Sequence, residues 1–291
     1  MKVVIAYDGS EAACDMLFEL RHAGLPADTH ALVLSVSEEL YAPVDAHGKP
    51  MDAKALSDQA TARGLADEGR EHLRKIFPDW SIDIEGTEGS PASVIVQRAA
   101  TWGKGDPHGA DLIVVGSSGL GRIERFVFGS VSQHVLASAP CSVRVCRGNP
   151  DRDRDPVRLV IAHDGSSDAD AAIDAMIARS WNEGTSAILV TALPSMFAGG
   201  VERWEKDEIE DLHAEVVGRL ETGGIATTSL IEQISPKRLL VDCAEKNDAD
   251  CIVMGARGRT RFERMMLGSV SSAVAARAHC SVEVVRPVVE G

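Results

Sequence analysis

The chain repeats itself, and that repeat constrains its fold more than any other feature. Displaced by 139 positions, Asp111–Arg147 falls on Asp250–Arg286 with 20 of 37 residues identical. The identities include Gly116/Gly255, Gly119/Gly258, Gly129/Gly268, Ser130/Ser269, Cys141/Cys280 and Arg147/Arg286. Chance would supply about two or three, so the match is a duplication. A second block, Val3–Ser10 (VVIAYDGS), answers Leu159–Ser166 (LVIAHDGS) at a displacement of 156. The first half therefore carries 17 extra residues between the two blocks. About five belong to Trp102–Gly109 and the rest to the region around Tyr41–Arg70, where surface loops accept insertions. The polar, proline-flanked stretch Gly148–Pro156 joins the halves. Two domains are expected, 1–148 and 157–291, a natural division for 291 residues.

Each half reads as alternating strands and helices. In the first, Val3–Tyr7 and Ala31–Val36 are continuous apolar runs of buried-strand type, and Ser10 caps a helix to about Ala23. Leu56–Phe77 has helical spacing, while Ser81–Glu85 alternates polar and apolar as a partly exposed strand does. Ser90-Pro91, repeated as Ser235-Pro236, is a cap followed by proline at the first helical position. Leu112–Val115 is a strand ending at Gly116, a helix follows Gly129-Ser130, and Ser142–Arg147 closes the half. Five strands alternating with four helices give an α/β fold, a mostly parallel sheet covered on both faces. Ligands of such sheets bind at the carboxyl ends of the strands, near the switch in strand order.

Charge and composition narrow the function. The net charge of −14 is shared by residues 1–150 and 151–291 as −6 and −8, a surface that disfavours nonspecific contact with nucleic acid or anionic lipid. No apolar run approaches the roughly 20 residues of a membrane span, and the N-terminal run is too short for a signal peptide. A cytoplasmic location is expected, with no membrane and no nucleic-acid partner. The six cysteines (Cys14, Cys141, Cys146, Cys243, Cys251, Cys280) show neither C-x-x-C nor metal spacing, so reduced, mostly buried thiols are expected.

The chemistry lies after the fourth strand of each half. Gly116-Ser-Ser-Gly119, nine residues, then Gly129-Ser130-Val-Ser is repeated as Gly255-Ala-Arg-Gly258, nine residues, then Gly268-Ser269-Val-Ser. Glycines at a strand end let the backbone turn sharply and approach a ligand. A Gly-Ser pair opening a helix offers amide N–H groups, a hydroxyl and the positive end of the helix dipole, which together suit phosphate. The intervening segments are basic, with Arg122 and Arg125 in one and Arg257, Arg259, Arg261 and Arg264 in the other. There is no Gly-Lys-Ser/Thr, so this is not a Walker loop, and it is not G-x-G-x-x-G. Asp8 and Asp164, repeated at the end of the first strand, can accept hydrogen bonds from ribose or an adenine amine. Asp-Gly-Ser is equally good turn and helix-start chemistry.

The run Gly116-Ser-Ser-Gly-Leu-Gly-Arg, Phe-Gly-Ser-Val-Ser-Gln-His-Val-Leu and Ala-Pro-Cys-Ser-Val resembles the signature of the universal stress proteins, over nearly the whole chain and twice. The resemblance implies two tandem Rossmann-like domains, each a five-stranded parallel sheet with helices on both faces. It also implies a pseudo-twofold axis through the last strands, making an intrachain pseudo-dimer that leaves room for a further homodimer. Carried over by position, Ala6 and Asp8 would face base and ribose, and Val36 adenine. Val115, Gly116, Gly119, Gly129, Ser130 and Val131 would hold phosphates and sugar, with Arg122 as a nearby cation. The second half matches with Ala162, Asp164, Ala192, Met254, Gly255, Gly258, Gly268, Ser269 and Val270, and Arg261 answers Arg122. Ala192 stands where Val36 does and His279 where Pro140 does, so the two sites are expected to differ.

No triad and no H-E-x-x-H or H-x3-H occurs among the nine histidines. His163 replaces Tyr7 beside the repeated Asp164, but adjacent strand residues point to opposite faces. Asp8, Ser130 and a Mg²⁺ accompanying the phosphates could support slow hydrolysis, since phosphoryl transfer rests mostly on positioning and charge neutralisation. No further base recurs in both halves. The expected function is an ATP-binding stress-response regulator with one site per repeat and no dedicated catalysis. The alternatives are a slow ATP hydrolase and a nucleotide-free, AMP-binding or cyclic-AMP-binding interaction module of the same fold.

Overall fold

A computed structural model describes residues 1–38, 59–102, 109–117, 128–147, 155–193, 206–258 and 267–287. The first half runs β1 (Lys2–Ala6), α1 (Glu11–Glu19), β2 (His30–Ser37), α2 (Gln59–Ile76), β3 (Ser81–Glu88), α3 (Pro91–Thr101), β4 (Leu112–Gly116), α4 (Ser130–Ser138) and β5 (Ser142–Cys146). The second repeats it with β6 (Arg158–Ala162), α5 (Ser167–Ile177), β7 (Ser186–Ala192), α6 (Lys206–Thr222), β8 (Ala226–Glu232), α7 (Pro236–Lys246), β9 (Cys251–Gly255), α8 (Ser269–Arg277) and β10 (Ser281–Val285). The first helix is shorter than its sequence pattern: α1 tightens into a 3-10 turn over Leu20–His22.

All ten strands join one sheet in the order β3-β2-β1-β4-β5-β10-β9-β6-β7-β8. Pairing is parallel within each half, and β5 meets β10 antiparallel. Position in this order explains the strand sequences. The central strands β1, β4 and β9 are covered on both faces and read as unbroken apolar runs. The edge strands β3 and β8 mix exposed and covered positions. In each half the order reverses between β1 and β4, or β6 and β9, which opens a crevice at their carboxyl ends.

The helices form two layers. On one face α3, α4, α7 and α8 cover a core that runs unbroken through both halves, from Val4 and Val143 to Val160 and Val284. On the other face α1 with α2, and α5 with α6, cover separate cores, one per half. Between those two cores the alternation of β5 and β10 turns the buried Arg144 and Glu283 to the face away from the shared apolar core, flanked by Glu19 and Arg179. The seam is therefore apolar on one face and ionic on the other.

The structure also locates the extra residues. The buried faces equate Ala62 with Ile209, Ala99 with Ala244 and Leu112 with Cys251, and the strand starts equate Ser81 with Ala226, displacements of 147, 145, 139 and 145. Nine extra residues thus precede the buried face of α2, and two lie in the turn to β3, where Phe77 stacks on Trp80 with centroids 3.9 Å apart. Six, rather than five, fall between α3 and β4, because Ala99 and not Ala100 points inward.

Candidate functional site

The crevice between β1 and β4 is lined by two turns. At the end of β1, Gly9 takes φ +73°, a left-handed conformation that glycine adopts without a Cβ penalty. Asp8 Oδ1 accepts hydrogen bonds from the Ser10 amide (3.0 Å) and Ser10 hydroxyl (2.6 Å). Ser10 Oγ in turn accepts from Ala13 N–H at 3.1 Å and caps α1. The second half copies this: Gly165 has φ +73°, Asp164 Oδ1 accepts from Ser166 N–H at 3.1 Å, and Ser166 Oγ accepts from Ala169 N–H at 3.3 Å. One oxygen of each aspartate is thus committed to the turn, the local chemistry that Asp-Gly-Ser suggests.

After β4 the chain leaves and returns at a fixed point. Ser117 N–H donates to Cys146 O at 2.9 Å, and Gly129 N–H donates to Ser117 O at 2.7 Å, closing the loop at its base. Ser132 Oγ donates to Gly116 O at 2.6 Å and ties α4 to the strand end. In the second half Ala256 N–H donates to Val285 O, Gly268 N–H to Ala256 O at 2.8 Å, and Ser271 Oγ to Gly255 O at 2.9 Å. Helices α4 and α8 open on Gly129 and Gly268, N-caps with no side chain to accept from the first turn. Their leading amides, those of Ser130–Ser132 and Ser269–Ser271, have no intrahelical acceptor, the general chemistry by which a helix start can receive an anion.

The apolar candidates share one face of the sheet. Ala6, Val36, Val115 and Val131, with Ala162, Ala192, Met254 and Val270, all belong to the face covered by α3, α4, α7 and α8. Tyr7 and His163 are buried and lie on the opposite face of the sheet. His163 reaches Asp170 at 3.2 Å and does not share a face with Asp164. A Cβ on Gly258 would stand 2.6 Å from Asp164 Oδ2, so the loop after β9 closes directly over the aspartate after β6. Gly255 has a different role: its Cβ would lie 2.7 Å from the backbone of Asp168, so this glycine lets α5 pack on the strand end. Gly116, Gly129, Ser130, Gly268 and Ser269 lie at the strand ends and helix starts described above. Gly119, Arg122, Arg125, Arg259, Arg261 and Arg264 lie outside the described residues.

One charge assignment is corrected. Arg257 adds no free charge to the second loop, because its Nε and Nη2 bond both oxygens of the buried Asp168 at 2.9 and 3.1 Å. Its amide donates to the same carboxylate at 3.1 Å. The first half has Ser118 and Ala12 at these positions, so this clamp belongs to one site alone.

Other repeated residues serve the seam. Arg147 Nη1 donates to Cys280 O and Nη2 to Ala275 O in the second half. Arg286 answers with Cys141 O at 3.3 Å and Leu136 O at 2.6 Å in the first. Each guanidinium thus caps the last carbonyls of the other half's helix, where the dipole favours a cation. The identities at Arg147/Arg286 signalled importance, but nothing local in the sequence signalled that it is structural.

A model of the universal stress protein family matches residues 1–147 and 157–286. A universal stress protein of Methanocaldococcus jannaschii is 36% identical over 140 residues, 44% of this chain and 81% of that protein. One from Mycolicibacterium smegmatis is 32% identical over 190 residues, 61% of this chain and 62% of that protein. Among solved structures, a universal stress protein from Archaeoglobus fulgidus superposes with a TM-score of 0.63 at 21% identity, covering 98% of each chain. One from Pseudomonas aeruginosa gives 0.59 at 17% identity, covering 98% of this chain and 93% of that one. No helix among the described residues is long and apolar enough to cross a membrane.

Proposed function

The chain belongs to the universal stress protein family, and on that premise we propose that it is an ATP-binding regulatory protein with one nucleotide site in each half and no dedicated catalysis. The observation that carries this reading is the same turn built twice. In both halves a strand-end glycine, a loop closed by one backbone hydrogen bond, and a glycine-capped helix start stand beside the aspartate of the neighbouring strand. The contact of Gly258 with Asp164 supports it, since a side chain there would fill the gap between loop and carboxylate.

In this reading the amides at the starts of α4 and α8 and the hydroxyls of Ser130 and Ser269 hold the phosphates. A Mg²⁺ accompanying the nucleotide would neutralise phosphate charge within an acidic protein. Asp8 and Asp164 accept from the sugar or base, and the apolar residues around Ala6, Val36, Ala162 and Ala192 flank the ring.

Mass spectrometry of the ligand released from gently purified protein tests the proposal. ATP in the released fraction is expected. AMP or cyclic AMP there would shift the ligand while keeping the site, and a protein that emerges empty and takes up no ATP in calorimetry would overturn it.

A further inference from the structure

On the face that carries α1 and α2, three side chains of metal-ligating type meet. Cys14 Sγ, a Glu68 carboxylate oxygen and a His72 ring nitrogen all lie within 4.8 Å of one another. Glu68 and His72 are one turn apart on α2, so they share a face, and Oε1 and Nε2 are 3.8 Å apart. Cys14 comes from α1 and is half-buried. The Tyr7 hydroxyl lies beneath, 3.2 Å from Cys14 Sγ and donating to Glu68 Oε1 at 3.2 Å. Gly69 makes room for that ring, since a Cβ there would stand 3.0 Å from it.

The duplication supplies an internal control. Displacements of 156 on β1 and α1 and 147 on α2 equate Tyr7, Cys14, Glu68 and His72 with His163, Asp170, Glu215 and Arg219. In the second half the Arg219 guanidinium occupies this corner, 3.8 Å from Asp170 and 2.6 Å from Asp174. There the place between the two helices is filled by a permanent cation belonging to the protein. In the first half a thiol, a carboxylate and an imidazole surround the same place.

We propose that Cys14, Glu68 and His72 bind a divalent transition-metal ion of the zinc type, with water as fourth ligand. The set of one sulfur, one nitrogen and one oxygen suits a borderline-soft ion of tetrahedral preference and excludes the oxygen-only chemistry of Ca²⁺ and Mg²⁺. Ligand atoms about 2.0–2.3 Å from such an ion lie about 3.3–3.6 Å from each other, within reach of side-chain rotation at half-exposed positions. On binding, the Cys14 thiol gives its proton to solvent, and thiolate and carboxylate together balance the two charges of the ion. The Tyr7 hydroxyl, which donates to Glu68 Oε1, then holds that ligand from behind, the outer-shell role that orients a metal site. The ion ties α1 to α2 beside the first-half turn, because Leu65, on the preceding turn of α2, packs over Gly9.

Cobalt(II) titrated into the full-length, reduced, chelator-treated protein tests this. One equivalent is expected, with a near-ultraviolet thiolate-to-cobalt band and visible bands of tetrahedral type, displaced by zinc. Cys14→Ser should remove the thiolate band. His72→Arg, which copies the second half, should weaken binding by on the order of 100-fold while the unfolding midpoint holds. A wild-type protein without the thiolate band, or folded His72→Arg that saturates at the same cobalt concentration as wild type, would overturn the proposal. The half-exposed position of His72 keeps the test decisive if Cys14→Ser fails to fold.

Discussion

Arg144 and Glu283 occupy the same position in the two halves, and they face each other across β5 and β10, Nη1 to Oε2, at 3.1 Å. Both are buried. Arg144 also bonds Glu19 at 2.5 Å, and Arg179 bonds both oxygens of Glu283. Two copies of one half meeting here would set like charges on the axis, Arg against Arg or Glu against Glu. Duplication has let one copy become the cation and the other the anion, so the seam favours unlike halves. Removing one partner strands the rest. Glu283→Gln is predicted to cost about 3–5 kcal/mol of unfolding free energy in urea, and a cost below about 1 kcal/mol would remove the seam from the account.

Acid should act on the same cluster. Burial alone would raise the pKa of Glu283, but Arg179 and Arg144 outweigh it and hold the carboxyl below its usual range. Burial likewise opposes Glu19, and Arg144 again prevails. A carboxyl lowered in the folded state stabilises the fold above its unfolded value, about 4.3, and that contribution is lost as pH falls through the folded value. Urea midpoints measured from pH 7 downward should stay level to about pH 5 and then fall. In Glu283→Gln the fall should be shallower, because one of the protons bound on unfolding is gone.

The clamp between Asp168 and Arg257 gives the second site a restraint that the first lacks. Asp168→Ala is predicted to destabilise the protein by about 1–3 kcal/mol, since three donors lose a buried acceptor. It should also weaken nucleotide binding in the second half alone, by loosening the loop that Arg257 opens. Calorimetry in which both sites lose equal affinity would show that the clamp acts on the whole fold.

Two glycines of one motif should separate stability from binding. Gly255→Ala drives a Cβ against the backbone of Asp168 and should cost about 1–3 kcal/mol. Gly258→Ala meets only the end of the Asp164 side chain, so stability should stay within about 0.5 kcal/mol while the second site loses affinity. Thermal unfolding paired with ATP titration of both variants distinguishes these outcomes. Unchanged binding by folded Gly258→Ala would detach this loop from the site.

The element order, the capped starts of α1 and α5 and the strand-end glycines were legible because each is a local pattern. Ser10 and Ala13 are neighbours whose chemistry needs no knowledge of the rest of the chain, whereas Ser90 stands at the N-cap of α3 without accepting a side-chain hydrogen bond. What pairs with what was not legible. Arg257 read as loop charge because its partner Asp168 lies 89 residues earlier. Arg147 and Arg286 stand in the repeated block, whereas their acceptors sit in the opposite half, 128 to 150 residues away. Glu68 and His72, one turn apart on α2, carry no metal signature by themselves, and only the fold brings Cys14 beside them.

The central claim is that this chain carries two nucleotide sites, one per half, that are built alike and tuned apart. Calorimetric titration of ATP with Mg²⁺ into wild-type protein stripped of copurifying ligand tests it most directly. Two equivalents should bind per chain, with two distinguishable affinities. Folded protein that binds no ATP, or saturates at one equivalent, would contradict it.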